Sequence, residues 1–386
     1  MKSRVVSFLC AMSLLGATAT AMAAHAQQSS APHYAVVDLG TLPGGTFSQP
    51  FAINDSDVVS GSSNLANNNQ NAVLWDRGQI IDLGTLGGPN SIAFALNRLG
   101  LAGGEAETST SDPNGEDFCG FGTHLICLPV LWSGRGAHPL PTLGGNNGGV
   151  NGINFWGIAA GVAETASEDP ACPAPQKLQF KPVAWEFGRA IALPTEGSDP
   201  DGLAIGINDL GQVVGGSGIC TAFNPNLLIN LQSVHALLWQ NGRLVDLGNL
   251  GGTTGQALGN LAYAINNRGQ VVGVSDLSGD TTFHAFLWTA ATHMQDLGTL
   301  PGDAASLAIS INDPGVVVGL SIDASGNTRA VVWHGGVPTD LNTLVEPNSP
   351  LYLLTSCSIN AQGEITGLGI TTSGEIHTYR AIPVHD

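Results

Sequence analysis

The side chains that could do chemistry in this sequence are mostly carboxylates, and they fall in three stretches: Glu105, Glu107, Glu116 and Asp117; Glu164, Glu168 and Asp169; and Asp199 with Asp201. Two carboxyls held ~5 to 9 Å apart suit glycosidic-bond cleavage, one acting as acid and the other as base or nucleophile. His124 lies within the first stretch and could serve as a base. Acidic stretches are also ordinary solvated loops, and sequence spacing sets no carboxyl separation. Recognition is the second chemistry on offer. Phe155 and Trp156 occupy turn positions that other repeats fill with Asp-Leu, Asn-Arg or Ala-Gln. Two aromatics at a hairpin tip can stack on sugar rings, anchor a partner, or fold back onto the neighbouring repeat. The candidate binding residues are therefore Phe155, Trp156, Glu105, Glu107, Asp117, His124, Glu164, Asp169 and Asp201.

Other reaction classes find no residues here. There is no HExxH, GxSxG or CxxC, and the Gly-rich run 144–152 has no Lys near it, which sets nucleotide hydrolysis aside. Asp276–Asp280 and Asp323–Asn327 resemble calcium loops but miss the terminal Glu of an EF-hand, so they read as hairpin turns. No catalytic residue, metal ligand or cofactor is assigned.

The elements that must position these groups repeat. An apolar strand ending in Asn recurs at Asn54, Asn97, Asn154, Asn208, Asn266, Asn312 and Asn360. After each comes a short turn to Gly and a Val-Val-Gly-like strand. A third strand ends in Trp at Trp75, Trp132, Trp185, Trp239, Trp288 and Trp333, with 379–384 as a degenerate seventh copy, and a fourth strand follows. Asn-x-x-Gly is type I turn chemistry, with Asn capping its own backbone and Gly taking φ > 0. Units that cannot bury an apolar face alone must stack in an array or a ring.

The chain begins on a fourth strand and ends on a third. If 34–39 lies beside 379–384, the seventh unit is completed and no half-unit is left over. The expected fold is all-β: one seven-bladed β-propeller over 34–386, with four-stranded antiparallel blades, closed by N-terminal strand on C-terminal strand. A β-solenoid is the competitor. Alternate connections then go to opposite faces. The two short turns of each blade share one face, and the crossovers share the other with three insertions at 105–128, 163–181 and 217–234.

The segments His284-Ala285-Phe286-Leu287-Trp288 and Asp296-Leu297-Gly298-Thr299-Leu300, with Ala264-Ile265-Asn266 and Gly269 to Gly273, resemble the HAF-type extracellular repeat, named for His-Ala-Phe. The resemblance covers essentially the whole mature chain. It implies an exported repeat protein and no defined reaction. The His is found at His235 and His284, with Asn71, Lys181 and Arg329 in equivalent places, so it is a poor catalytic candidate.

The first 26 residues read as a bacterial export signal, with Lys2 and Arg4, an apolar run from Val5 to Leu15, and cleavage near Ala26. Residues 27–33 are expected to be a short disordered lead. No stretch approaches the ~20 apolar residues of a membrane span. Losing Lys2 and Arg4 takes the net charge from −18 to −20, a field that repels nucleic acid and anionic lipid. The location is secreted or periplasmic, and the protein a monomer. Five cysteines remain, and an odd number leaves one unpaired. Cys119–Cys127 within one insertion and Cys172–Cys220 between adjacent insertions are the expected disulfides. Cys357 is read as a small buried residue in place of Ala or Ser.

The function that follows is a non-catalytic binding or scaffold module, meeting a polysaccharide or an extracellular protein through the insertion face. The alternatives are a carboxylate-dependent enzyme on extracellular polysaccharide and a purely structural surface component.

Overall fold

A computed structural model describes residues 33–134, 136–224 and 229–384. The expected signal segment, residues 27–32 and the last two residues lie outside this range. Seven antiparallel sheets are arranged as the blades of a propeller. Blade 1 runs Ser48–Ile53, Val59–Asn64, Gln70–Asp76 and Gln79–Asp82. Blades 2 to 6 repeat that order with inner strands Gly87–Leu96, Gly144–Ile153, Asp201–Ile207, Leu261–Ile265 and Ala305–Ile311. Blade 7 takes His33–Gly40 as its outer strand, paired with Ile376–Val384, and its inner strand is split into Tyr352–Leu353 and Ser358–Ile359. The register Tyr34↔Pro383 to Asp38↔Tyr379 is the closure the chain ends call for. His33, expected in the disordered lead, is already in the strand opposite Val384.

The Gly of each second strand has one steric cause. Strand 1 carries a register shift at the same place in blades 1 to 6, for example between Pro50 and Ala52. The bulge pushes a strand-1 carbonyl toward the second strand, where a Cβ on Gly104, Gly273 or Gly319 would stand 1.9 to 2.0 Å from the oxygen of Ile92, Leu261 or Leu307. The same encounter recurs at Gly61, Gly161, Gly215 and Gly367.

Between blades, the third-strand apolar run and its Trp are buried on both sheet faces, as a strand held between two neighbours requires. Polar pins complete the joints. Ser91 Oγ accepts from Ala72 N and Ser306 Oγ from Ala285 N, both at 2.9 Å, tying the inner strand of one blade to the third strand of the previous one. The Trp185, Trp239 and Trp333 indoles donate to the backbone carbonyls of Pro141, Pro194 and Leu297.

The insertions are less loop-like than expected. Segment 217–234 is mostly a continuation of the blade 4 hairpin, Val213–Asn224 and Ile229–Gln240. The second strands of blades 2 and 3 likewise extend to Ser111 and Glu168. The distal parts fold inward, so that Phe118, Cys119, Cys127 and half-buried Phe121 join an apolar cluster with Ile205, Tyr263 and Ile309 of the inner strands.

Candidate functional site

A closed ring of side chains surrounds the channel on the turn face. Each landmark Asn turns its Oδ1 back to its own hairpin, accepting the backbone N–H groups two and four residues on, as Asn154 does from Trp156 and Ile158. In blade 6, Pro314 has no N–H to give, and Asn312 takes only Val316 N. The Nδ2 of each Asn then donates to the backbone carbonyl of the next landmark Asn. Asn54 reaches Asn97 at 3.1 Å, Asn97 reaches Asn154 at 3.1 Å, Asn154 reaches Asn208 at 3.2 Å and Asn208 reaches Asn266 at 3.0 Å. Asn266 to Asn312, Asn312 to Asn360 and Asn360 back to Asn54 complete the circuit at 3.0 to 3.2 Å.

Outside that ring lie the residues that follow each Asn, around a cavity of about 200 Å³ whose floor is the ring of preceding Ile and Leu side chains. They are bonded in series as well. Phe155 N donates to Asp209 Oδ1, Asp209 N to Asn267 Oδ1, Asn267 N to Asp313 Oδ1, and Ala361 N to Asp55 Oδ1. Arg98 bridges Asp55 at 3.1 Å and Asp209 at 3.4 Å.

Trp156 stands at the rim of this mouth. Its indole donates to the Asp209 carbonyl of blade 4 at 3.0 Å, and Phe155 meets it edge to face with centroids 5.1 Å apart. The side chain leans on its neighbour and still leaves the residue 70% exposed. The other six Trp residues are buried. Leu99 and Leu210, at the same turn position of the flanking blades, are 71% and 70% exposed, so three consecutive blades present large apolar side chains around one arc of the mouth.

The acidic candidates of the insertions sit differently. Glu105, Glu107, Glu164, Asp169 and Asp201 are all buried, as is Glu116. Glu164 Oε2 accepts from Asn146 N, Asn147 N and Asn147 Nδ2, and its other oxygen takes Gln176 Nε2. Glu107 accepts from Asn90 Nδ2 at 2.8 Å and from the Thr123 hydroxyl. Asp201 Oδ1 takes Phe180 N, and Asp169 Oδ1 takes Ala171 N. Asp276 at the end of blade 5's second strand receives the amides of Ala257, Leu258 and Gly259. A carboxylate at this position holds the crossover that enters its own blade, and in blade 1 Asn64 does the same for Thr46 and Phe47. Asp117 is partly exposed and bonds Gly122 N with both oxygens, while His124 is exposed with Nδ1 at 3.0 Å from the Gly115 carbonyl. The buried members of this set pack within the insertions and crossovers, while Asp117 and His124 reach the surface.

Burial sets their protonation. Desolvation, followed by the charge of Glu107, pushes the Glu105 carboxyl up to about 8. Desolvation and the Glu116 charge raise Glu164 to about 7 against its amide bonds. Burial raises Asp201 to about 7 against the bond from Phe180 N. Raised carboxylate pKa values often mark acid–base catalysts. Here the three groups are buried, and desolvation is the largest cause of each shift.

Both expected disulfides are present, Cys119–Cys127 and Cys172–Cys220. Glu105 lies near the first pair and Asp201 near the second, but the sulfurs are bonded to each other and offer no thiolate to a metal. Cys357 is the free cysteine among the described residues, and it is half-buried where full burial was expected. Counting back from the ring Asn, it occupies the place of Phe51, Phe94, Asn151, Ile205, Tyr263 and Ile309, not that of Ala or Ser. Burial pushes its thiol up to about 11. The calcium-like stretches are hairpin turns, with Asp323 Oδ1 accepting Ser325 N and Asn327 N.

The motif His has a structural task. His284 Nδ1 donates to the Asp296 carboxylate at 2.9 Å, joining the third strand to the Asp-Leu-Gly of the fourth. Asn71 holds Asp82 at 2.9 Å in blade 1 by the same geometry. His377, opposite Gly369, holds Asp38 at 2.9 Å and is the blade 7 copy that the sequence reading missed, because its strand lacks the terminal Trp.

No family model and no curated protein sequence matches this chain. Among solved structures it is similar to the β-propeller domain of the trilobed protease from Pyrococcus furiosus, at 9% identity and TM-score 0.48, over 93% of this chain and 97% of that one. It is also similar to a chain of the mitotic checkpoint complex (11%, TM-score 0.47, 100% of each chain). A mutant lectin of Aleuria aurantia in complex with Fucα1-6GlcNAc follows (9%, TM-score 0.33, 75% of this chain and 94% of that one). These likenesses concern the fold alone.

Proposed function

We propose that this chain is an exported, HAF-type propeller that binds extracellular polysaccharide without cleaving it, and that its site is the turn face around Trp156. The export signal read in the sequence and the two disulfides support a location outside the cytoplasm. The carrying observation is the fixed indole: Trp156 is held by Asp209 through its Nε1 and is 70% exposed, beside a mouth rich in amide and carboxylate groups. An aromatic face that is already immobilised loses little freedom when a sugar ring stacks on it. Asp209, Asp55 and Asn267 then supply acceptors and donors for hydroxyls. The insertion face is the weaker choice, because most of its candidate carboxylates are buried, with Glu107 and Glu164 engaged by Asn90, Asn146 and Asn147 of the strands entering their blades. The apolar flank of Leu99 and Leu210 supports a second reading, in which the same arc receives an extracellular protein.

The test is retention of the mature protein on a panel of insoluble cell-envelope and plant polysaccharides, alongside Trp156→Ala. Retention of wild type and its loss in the variant, with no new chain ends in the supernatant, is the expected result. Equal retention of both proteins, or release of new chain ends, overturns the reading.

A further inference from the structure

The insertion side of the propeller is not covered evenly. Blades 2, 3 and 4 carry the long insertions, whereas blade 6 turns from its second to its third strand in the short segment Asp323–Asn327. The crossover from blade 6 to blade 7 is also unusual. It forms a 3-10 turn at Leu341–Leu344, then Glu346 N donates to the Tyr34 carbonyl in the outer strand of blade 7, and the chain returns inward only at Tyr352. Between the two blades this leaves an open cleft of about 580 Å³, within the size range of small-molecule sites.

Its two walls differ in chemistry. On the blade 7 side are the Tyr352 ring, 48% exposed, and the half-buried Leu354. On the blade 6 side are Asp323, Asn327, Thr328 and Arg329. Arg329 occupies the place of the motif His, but its longer side chain reaches past the fourth-strand Asp340, at 3.4 Å, to the crossover Asp303, at 2.6 Å. The guanidinium is thereby held between two carboxylates and is 30% exposed. Five N–H donors are available to a guanidinium, so it keeps donors to spare. A cleft with one aromatic wall and one wall of fixed donors and acceptors matches a saccharide, which has a C–H face and a hydroxyl edge. Three carboxylates, Asp303, Asp323 and Asp340, outnumber the one Arg, which disfavours an anionic ligand.

We propose that the cleft between blades 6 and 7 is a second saccharide site, for neutral sugars, with Tyr352 as the stacking platform and Arg329, Asn327 and Asp323 as the hydroxyl partners. It lies on the opposite face from Trp156 and is independent of the turn-face reading.

The experiment uses the mature protein carrying Trp156→Ala, so that the turn face contributes nothing. The probes are cellobiose, maltose, chitobiose and mannobiose, with a uronic-acid disaccharide as the anionic comparison, each titrated by calorimetry. Saturable binding of at least one neutral disaccharide is expected. Adding Tyr352→Ala should weaken it at least tenfold, and Asn327→Trp, which fills the cleft from an exposed position, should do the same. If Tyr352→Ala fails to fold, Asn327→Trp decides. Absence of binding to every neutral probe, unchanged affinity in a folded cleft variant, or preference for the uronic-acid probe would overturn the proposal.

Discussion

Asn360 donates its side-chain amide to the backbone carbonyl of Asn54 at 3.2 Å, joining residues 306 positions apart and closing the ring of seven. The contact is the same as the six between consecutive blades, so ring closure uses no special device on this face. Strand pairing of 33–40 with 376–384 closes the outside, and the Asn ring closes the inside.

The ring bond can be separated from the turn it caps. Asn97→Asp keeps the Oδ1 that Leu99 N and Leu101 N need, but removes the Nδ2 donor to Asn154 and buries a charge. An unsatisfied buried carbonyl and a lost hydrogen bond together cost about 2 to 4 kcal/mol. Urea unfolding should show that loss. A midpoint equal to wild type would mean that the ring contributes nothing.

Protonation of the buried acids gives stability a defined pH slope. Glu105 has its folded-state pKa raised from the ordinary 4.5 to about 8 by burial and by Glu107, and Glu164 is raised to about 7. A carboxyl raised on folding binds its proton more tightly in the native state, so its stabilisation is complete below about 4.5 and is lost as pH rises through 8. Melting temperature should therefore fall between pH 5 and 8, by an amount worth on the order of a few kcal/mol. Glu105→Gln should flatten that slope; an identical slope in the variant would contradict the assignment.

The motif histidine should behave as a strut. Although burial pushes Asp296 up, the hydrogen bonds from His284 and Gly298 N hold its carboxyl below the ordinary range. His284→Asn recreates the Asn71–Asp82 pair and should cost under about 0.5 kcal/mol, whereas His284→Ala should cost about 1 to 2 kcal/mol. Polysaccharide retention should be unchanged in both. A binding defect in the folded Asn variant would give the His a role beyond the strut.

The two disulfides should differ in worth. They close loops of 8 and 48 residues. Chain entropy alone gives about 2.5 kcal/mol for the first and about 4 kcal/mol for the second. Paired Cys→Ala variants compared by chemical denaturation should show that order, and the reverse order would mean that the short Cys119–Cys127 loop does more than restrict the unfolded chain.

Much of the fold was legible because each signal was local. Asn and Gly at fixed offsets mark the turns, Trp marks the third strand, and the mismatch between chain ends implies closure. The site was less legible. Trp156 and Phe155 stood out by type against their repeat equivalents, but nothing local tells that the indole is pinned by Asp209, 53 residues away. Glu107 and Glu164 read as solvated acids because their partners are crossover amides and Asn side chains 17 or 18 residues upstream. Such partners leave no charge pattern in the sequence.

The central claim rests on one indole, and its exposure makes it measurable. Of seven Trp residues, Trp156 alone is open to an aqueous quencher, so acrylamide quenching of the native protein reports on it. Polysaccharide that is retained by the protein should shield it, lowering the quenching constant severalfold, with no such change in Trp156→Ala. Undiminished quenching of a protein fully bound to polysaccharide would place the ligand elsewhere and contradict the account.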